Sequence, residues 1–186
     1  MREISTKLSA ITARLSDEAF LSNKGLSNEV GIHVFCYNPS DEMAVQAYFA
    51  RLKTQSNVPF RLIECDLYEI FLQICTEKHI LGGVANMEAR KGKDYLLAQL
   101  QKVAPAEAFV DKMAYQPHMH GDVLLITGVG KVYPFMRSHK ILDNIQHIFS
   151  DIPVLMLYPG NFDGQDLSLF CELADGHYYR AFNLVD

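Results

Sequence analysis

The spacing of apolar positions changes repeatedly along the chain, and each change marks an element. Ile4, Leu8, Ile11 and Leu15 recur every three or four residues with Lys7, Arg14 and Asp17 among or beyond them, the spacing of an amphipathic helix. Asn23-Lys24-Gly25 breaks that pattern. Gly31-Ile-His-Val-Phe-Cys-Tyr37 is then short, β-rich and closed by Asn38-Pro39, which predicts a strand; His33 alternates with Ile32 and Val34 and reads as a packed or solvated residue of the opposite face. Ser40 is placed as the N-cap of the next helix, with Asp41 and Glu42 in its first turn where the helix dipole favours anions. Met43, Ala47, Phe49, Ala50 and Leu52 carry that helix to about Thr54. Phe60–Cys65 predicts a second strand, entered through Pro59. Asp66 then caps a helix whose apolar face holds Leu67, Ile70, Phe71 and Ile74.

Gly82-Gly83 ends that region, and residues 84–116 differ in character. They are rich in Ala, Lys and Gln and divided by Pro105, so they predict two helices, Asp94–Val103 and Ala106–Tyr115, in an excursion between strands. Asp122–Thr127 is the clearest strand. After Gly128-Val-Gly130 a helix is expected to begin near Tyr133-Pro134, since proline is tolerated in a first turn, with Leu142, Ile145 and Phe149 on its face. Pro153–Tyr158 predicts a fourth strand stopped by Pro159-Gly160. At the end, Leu167–Leu173 and His177–Leu184 flank Ala174-Asp175-Gly176, the turn signal of an antiparallel hairpin. Short apolar strands separated by helices require crossover connections. The expectation is a single α/β domain over 1–186, with 1–27 as an N-terminal helical extension: a Rossmann-like, P-loop-like three-layer sandwich with a mostly parallel sheet, the helical excursion at about 84–116 and the C-terminal hairpin.

Composition narrows the function classes. At 186 residues, 49% hydrophobic and 21% charged, the chain has the makings of one folded core. A formal net charge of −5 lacks the basic field that coating nucleic acid needs, so nucleic-acid contact is expected to be indirect or weak. The first residues carry charges where a secretory signal has an apolar run, and no stretch reaches the about 20 apolar residues of a membrane span, so a cytoplasmic location without membrane contact is expected. Cys36, Cys65, Cys75 and Cys171 show no ligand or redox spacing and read as reduced thiols, Cys36 and Cys65 inside apolar runs.

Candidate chemistry is expected beyond the carboxyl ends of the strands, where such sheets bind ligands. That rim carries Asn38, Asp41 and Glu42, then Asp66, then Gly128–Lys131, then Tyr158–Asp163. Thr127-Gly-Val-Gly-Lys131 resembles a phosphate loop in outline only: Leu125 occupies the place of its first glycine and Val132 that of its hydroxyl residue, while Tyr133 replaces the third glycine of the dinucleotide pattern. A glycine turn with one lysine remains, either an anion site or a plain tight turn. No Asp or Glu has a lysine two positions on, there is no H-x-K pair and no G-x-S-x-G elbow, so nuclease, phospholipase-like and α/β-hydrolase readings lack their motifs and no catalytic residue is assigned. His118-x-His120 with Asp122 offers donors but not the three or four matched ligands of a metal site, and neither a metal nor a cofactor is assigned. Arg137-Ser-His-Lys140 with Lys131 forms a small basic patch near the rim, and Arg90-Lys-Gly-Lys93 reads as a solvated approach to the excursion.

Several longer stretches occur in a telling order: Tyr37-Asn-Pro-Ser-Asp-Glu42, Glu64-Cys-Asp-Leu-Tyr68, Gly92-Lys-Asp-Tyr-Leu96, Thr127-Gly-Val-Gly-Lys-Val-Tyr-Pro-Phe-Met-Arg-Ser-His139, Tyr158-Pro-Gly-Asn-Phe-Asp-Gly-Gln165, and finally Leu169-Phe170 and Tyr178-Tyr-Arg-Ala-Phe182. From about Asn28 onward the chain resembles the BrxB family of the BREX bacteriophage-defence systems. Those systems mark host DNA by adenine methylation, and the family accompanies a methyltransferase, a large ATPase and a PglZ-type protein with an alkaline-phosphatase-like domain. The resemblance implies a role as an assembly component whose partners are the PglZ-type protein and other BREX proteins, and it brings no catalytic set. The residues it points to as ligand- or partner-binding are Gly128, Gly130, Lys131, Tyr133, Arg137, His139, Tyr158, Asp163 and Gln165. Ser138, Pro134, Pro159, Gly160 and Gly164 belong to the same two rim stretches. The alternative is a phosphate-ligand module for a nucleotide or nucleic acid, or a degenerate ATPase- or nuclease-like domain.

Overall fold

A computed structural model describes residues 2–22, 31–174, 176 and 181–185. Two helices, α1 (Arg2–Leu15) and α2 (Glu18–Leu21), precede strand β1 (Ile32–Tyr37); α3 (Glu42–Lys53) then leads to β2 (Arg61–Asp66). Helix α4 (Leu67–Glu77) comes next, and the excursion follows as α5 (Val84–Lys91), α6 (Lys93–Val103) and α7 (Ala106–Met113). Next come β3 (Asp122–Thr127), α8 (Val129–Val132), α9 (Ser138–Ile145) and β4 (Val154–Phe162), and the described chain closes with β5 (Leu167–Leu169), β6 (Leu173–Ala174) and β7 (Phe182–Asn183).

The sheet runs β2-β3-β4-β1-β7, with these neighbours parallel throughout. This order sorts the helices. The chain steps from β1 across to β2 in one direction and returns through β3 to β4 in the other, and a right-handed crossover places the two sets of helices on opposite faces. Alternate strand residues follow suit. Phe35, Tyr37, Val123, Leu125, Leu155 and Leu157 pack with Ile4, Leu8, Ile11 and Leu15 of α1 and with Val45, Phe49 and Leu52 of α3. Ile32, Val34, Leu124, Ile126, Val154 and Met156 pack with α4, α6, α7 and α9. With both faces covered, the central strands are apolar at nearly every position.

The base of the sheet is tied by a buried carboxylate. Asp122 is 1% exposed, accepts two bonds from the Arg61 guanidinium at 2.8 Å, one from the Tyr115 hydroxyl at 2.8 Å and one from the Met119 amide at 3.0 Å. Burial pushes its pKa up, yet the guanidinium, amide and hydroxyl together hold it below the usual carboxylate range. His118 turns elsewhere, stacking on Phe149 with ring centres 5.4 Å apart and meeting Asp151 at 2.6 Å through Nδ1, while the exposed His120 lies 3.5 Å from Glu18. The His-x-His-x-Asp donors therefore diverge, and no group of three potential metal donors comes together among the described residues.

Five local expectations are corrected. The side chain of Asn38, not of Ser40, caps the turn after β1, accepting from the Ser40 amide at 3.0 Å, and a single turn of 3-10 helix (Pro39–Asp41) precedes α3. The excursion holds one further helix, α5, whose polar face gives no apolar period. The helix expected from Tyr133-Pro134 is two helices with that dipeptide between them, because Pro134 has no N–H with which to continue α8. Strand β4 runs through Pro159-Gly160 to Phe162. The antiparallel pairing of the C-terminal region turns at residues 163–166 (β4 with β5) and 170–172 (β5 with β6), whereas β7 lies parallel to β1. Asp175 and His177–Arg180, in the expected hairpin, lie outside the described residues, as does the Asn23-Lys24-Gly25 break.

Candidate functional site

Parallel strands deliver their carboxyl ends to one rim, and here the rim is built from charged groups that hold one another. At the end of β2, Asp66 adopts extended backbone and its Oδ1 accepts from the amides of Tyr68 at 2.8 Å and Glu69 at 3.2 Å, which fixes the start of α4. Its Oδ2 lies 3.4 Å from Lys131 Nζ. Gly128, at φ +75°, covers this carboxylate so closely that a Cβ would stand 2.3 Å from Oδ1. The glycine turn thus faces an anion of the protein itself. Replacing Asp66 by alanine is expected to cost about 1–2 kcal/mol through the lost cap, read as a lower urea midpoint at unchanged slope.

Two further carboxylates share the rim. Glu64 accepts from Thr127 Oγ1 at 3.1 Å and pairs with Lys53 of α3. Glu42 accepts from the Tyr37 hydroxyl and from Gln46 Nε2, each at 2.7 Å. Burial and the bond to Glu42 raise the Tyr37 pKa well above its ordinary value, so this phenol stays a neutral donor. These groups line a cavity of about 220 Å³ between α3 and the glycine turn. A second groove of about 220 Å³ lies on another side of Lys131, walled by Tyr37, Pro39, Glu42, Pro159 and Phe170. Gly130 makes room for the Phe170 ring, which a Cβ there would meet at 2.9 Å. Phe170 and Cys171 reach their positions through φ values of +57° and +61°, uncommon for residues with side chains.

A third cavity, of about 210 Å³, sits between α9 and the β5–β6 turn and is lined by Tyr133, Met136, Arg137, Ser138, Tyr158 and Glu172 among others. The nine residues singled out in the sequence therefore divide. Gly128 and Lys131 line the first two cavities and Gly130 the second; Tyr133, Arg137 and Tyr158 line the third. No one of these cavities is lined by both Lys131 and Arg137. His139 lies half-buried on α9. Asp163 and Gln165 form the exposed β4–β5 turn, where Asp163 Oδ1 accepts from the amides of Gln165 at 2.9 Å and Asp166 at 2.7 Å, and these bonds lower its pKa. Lys53, Gln46 and Glu172 were not singled out in the sequence. Alternation along β2 puts Glu64 and Asp66 on one face, but nothing in the chain signals which helix supplies the lysine.

Cys36 and Cys65 do not add a thiolate to this rim. Burial pushes the Cys36 thiol up to about 12 and the Cys65 thiol to about 11, so both remain protonated at neutral pH.

The chain has clear relatives. A family model described as "BREX protein BrxB" matches residues 63–184. A BREX protein BrxB of Bacillus cereus (strain H3081.97) is 39% identical over 196 aligned positions, covering 100% of both chains. A BREX protein BrxB of Escherichia coli O9:H4 (strain HS) is 28% identical, covering 96% of this chain and 90% of its own. No solved structure matches this chain.

Proposed function

This chain belongs to the BrxB family of BREX phage-defence proteins, and from that premise we propose that it is a non-catalytic adaptor, bridging a PglZ-type phosphatase-like protein and other BREX components in the cytoplasm. The observation that carries this reading is the self-satisfied rim. Lys53, Lys131, Glu42, Glu64, Asp66 and Tyr37 are each bonded to another group of the protein. A general acid, base or anion cradle needs groups left available for substrate, and here each of these groups has at least one bond that holds a loop or helix in place. The phosphate-ligand alternative meets a specific obstacle, because Asp66 stands against the glycine turn where the ligand's own charge would sit.

Apolar surface is also left uncovered. Among the described residues Met43, Leu81, Met87, Tyr95, Met119, Phe170, Leu173 and Phe182 present large apolar side chains to solvent, several of them on the rim and the excursion. Such residues become interface anchors when a partner covers them. No helix among the described residues is long and apolar enough to cross a membrane, so that partner is sought among proteins.

The test is co-expression with the PglZ-type protein of its operon, followed by gel filtration with light scattering. A single complex of fixed stoichiometry is the expected result. Two separate peaks across a range of salt would overturn the bridging role. A thermal shift on adding nucleotide with magnesium would favour the phosphate-ligand module instead.

A further inference from the structure

Helix α5 is a poor helix by its own means. It has eight residues, no side-chain cap at Gly83, and no buried residue; only Val84 is half-buried against the core. Isolated helices shorter than about 12–15 residues are marginal in water, so order must come from packing. This chain supplies little of it. Instead, Leu81, Met87 and Tyr95, at 44%, 38% and 47% exposure, cluster within fifteen residues around α5.

The same segment reverses the sign of the protein. Residues 78–95 hold Lys78, Arg90, Lys91 and Lys93 against Glu88 and Asp94, a net +2 in a chain of net −5. Arg90, Lys91 and Lys93 are exposed and have no ion pair among the described residues. The dipole of α5 accounts for cations in its last turn, at Arg90 and Lys91. It does not account for Lys93, which opens α6, where a cation is disfavoured.

We infer that α5 and its flanks form a docking surface for a protein partner presenting an apolar groove rimmed by carboxylates. This rests on the adaptor reading and gives it a face and a partner chemistry. Met87 and Tyr95 act as anchors in the groove, and Arg90, Lys91 and Lys93 meet its acidic rim; tyrosine and arginine are the residue types enriched at interface hot spots. A nucleic-acid backbone fits less well, since Leu81 and Met87 offer nothing to phosphate and the net negative chain repels a polyanion at long range.

The experiment compares the full-length protein with two variants, Arg90→Glu/Lys91→Glu/Lys93→Glu and Leu81→Ser/Met87→Ser/Tyr95→Ser, each co-purified with the other BREX proteins of its operon. All six side chains are exposed, so thermal melts are expected to stay close to wild type and serve as the folding control. Each variant is expected to weaken association at least tenfold, with the charge variant also flattening its salt dependence. If the wild type assembles and either variant assembles as well as it does, the inference fails while the adaptor reading stands. If the wild type does not assemble, both fall. If the charge variant alone weakens binding, and to a short DNA duplex rather than to protein, the surface belongs to nucleic acid and the inference is overturned.

Discussion

Gly160→Ala is expected to lower the stability of the protein by about 3 kcal/mol, the upper part of the range for overpacking. The position looks harmless, in a strand and away from any positive φ. The obstacle is the partner strand: a Cβ on Gly160 would stand 2.1 Å from the backbone oxygen of Ser168 and 2.9 Å from the Tyr158 ring. A flexible side chain could swing aside, but a backbone oxygen in a paired strand moves only if the strand moves. Gly160 faces Leu169 in the β4–β5 register, and Leu167 and Leu169 are both buried, so separating the strands would expose core. The cavity between α9 and the β5–β6 turn would lose a wall with them. Thermal unfolding should show a drop of roughly 6–12 °C in Tm for a domain of this size. Gly82→Ala is the matched control, because nothing lies within 4 Å of its Cβ, and it should fall within about 0.5 kcal/mol of wild type.

A comparable effect is expected from acid acting on His33. The residue is 5% exposed, with its ring between Phe20 and Phe182 at centroid distances of 4.8 and 5.9 Å, and its Nδ1 has no hydrogen-bond partner among the described residues. Burial, with a smaller contribution from the nearby Arg14 charge, lowers its pKa from 6.5 to about 4. The unfolded chain therefore takes up a proton near pH 6.5 that the folded protein refuses until about pH 4. Between those values the unfolded state binds more protons, so stability rises with pH. The contribution is complete above pH 6.5 and disappears as pH falls toward 4, in total about 3 kcal/mol. Urea midpoints at pH 7, 5.5 and 4.5 should fall more steeply for the wild type than for His33→Phe, which keeps a ring and has nothing to titrate. Equal slopes for the two proteins would refute this account of His33.

The layered fold was legible because its strands are apolar runs with clear punctuation, and Asp66 announced itself as a cap by standing between a strand and a helix. Other features depended on neighbours that a sequence does not display. Pro159 read as the end of β4, yet a strand residue's N–H and C=O point the same way. The Pro159 C=O points to the side where β3 has already stopped pairing, at Met156, and accepts from the Phe170 amide at 2.8 Å. No ladder bond to β3 is missing there, so proline is tolerated. The Asp-Gly signal occurs twice, and the β4–β5 turn is made at Asp163-Gly164, where the aspartate accepts from two following amides, rather than at the Asp175-Gly176 expected from the sequence. The rim stretches were recognisable by composition. Which cavity each residue lines was not, because Lys131 and Arg137 are divided by the path of α8 and the chain after it.

The sheet order also sets when the protein can be finished. Strand β1 lies between β4 and β7, so both of its neighbours come from the last third of the chain. Contacts between segments this far apart in sequence slow folding, since the loop must close before the pairing stabilises it. On the ribosome, β1 emerges before β4 and waits, apolar and without its strand partner, until β4 has been made. The β2–β3 pair and the helices between them can associate earlier. Until β4 is made, β1 is the kind of apolar, unpaired strand that makes an incomplete chain prone to aggregation.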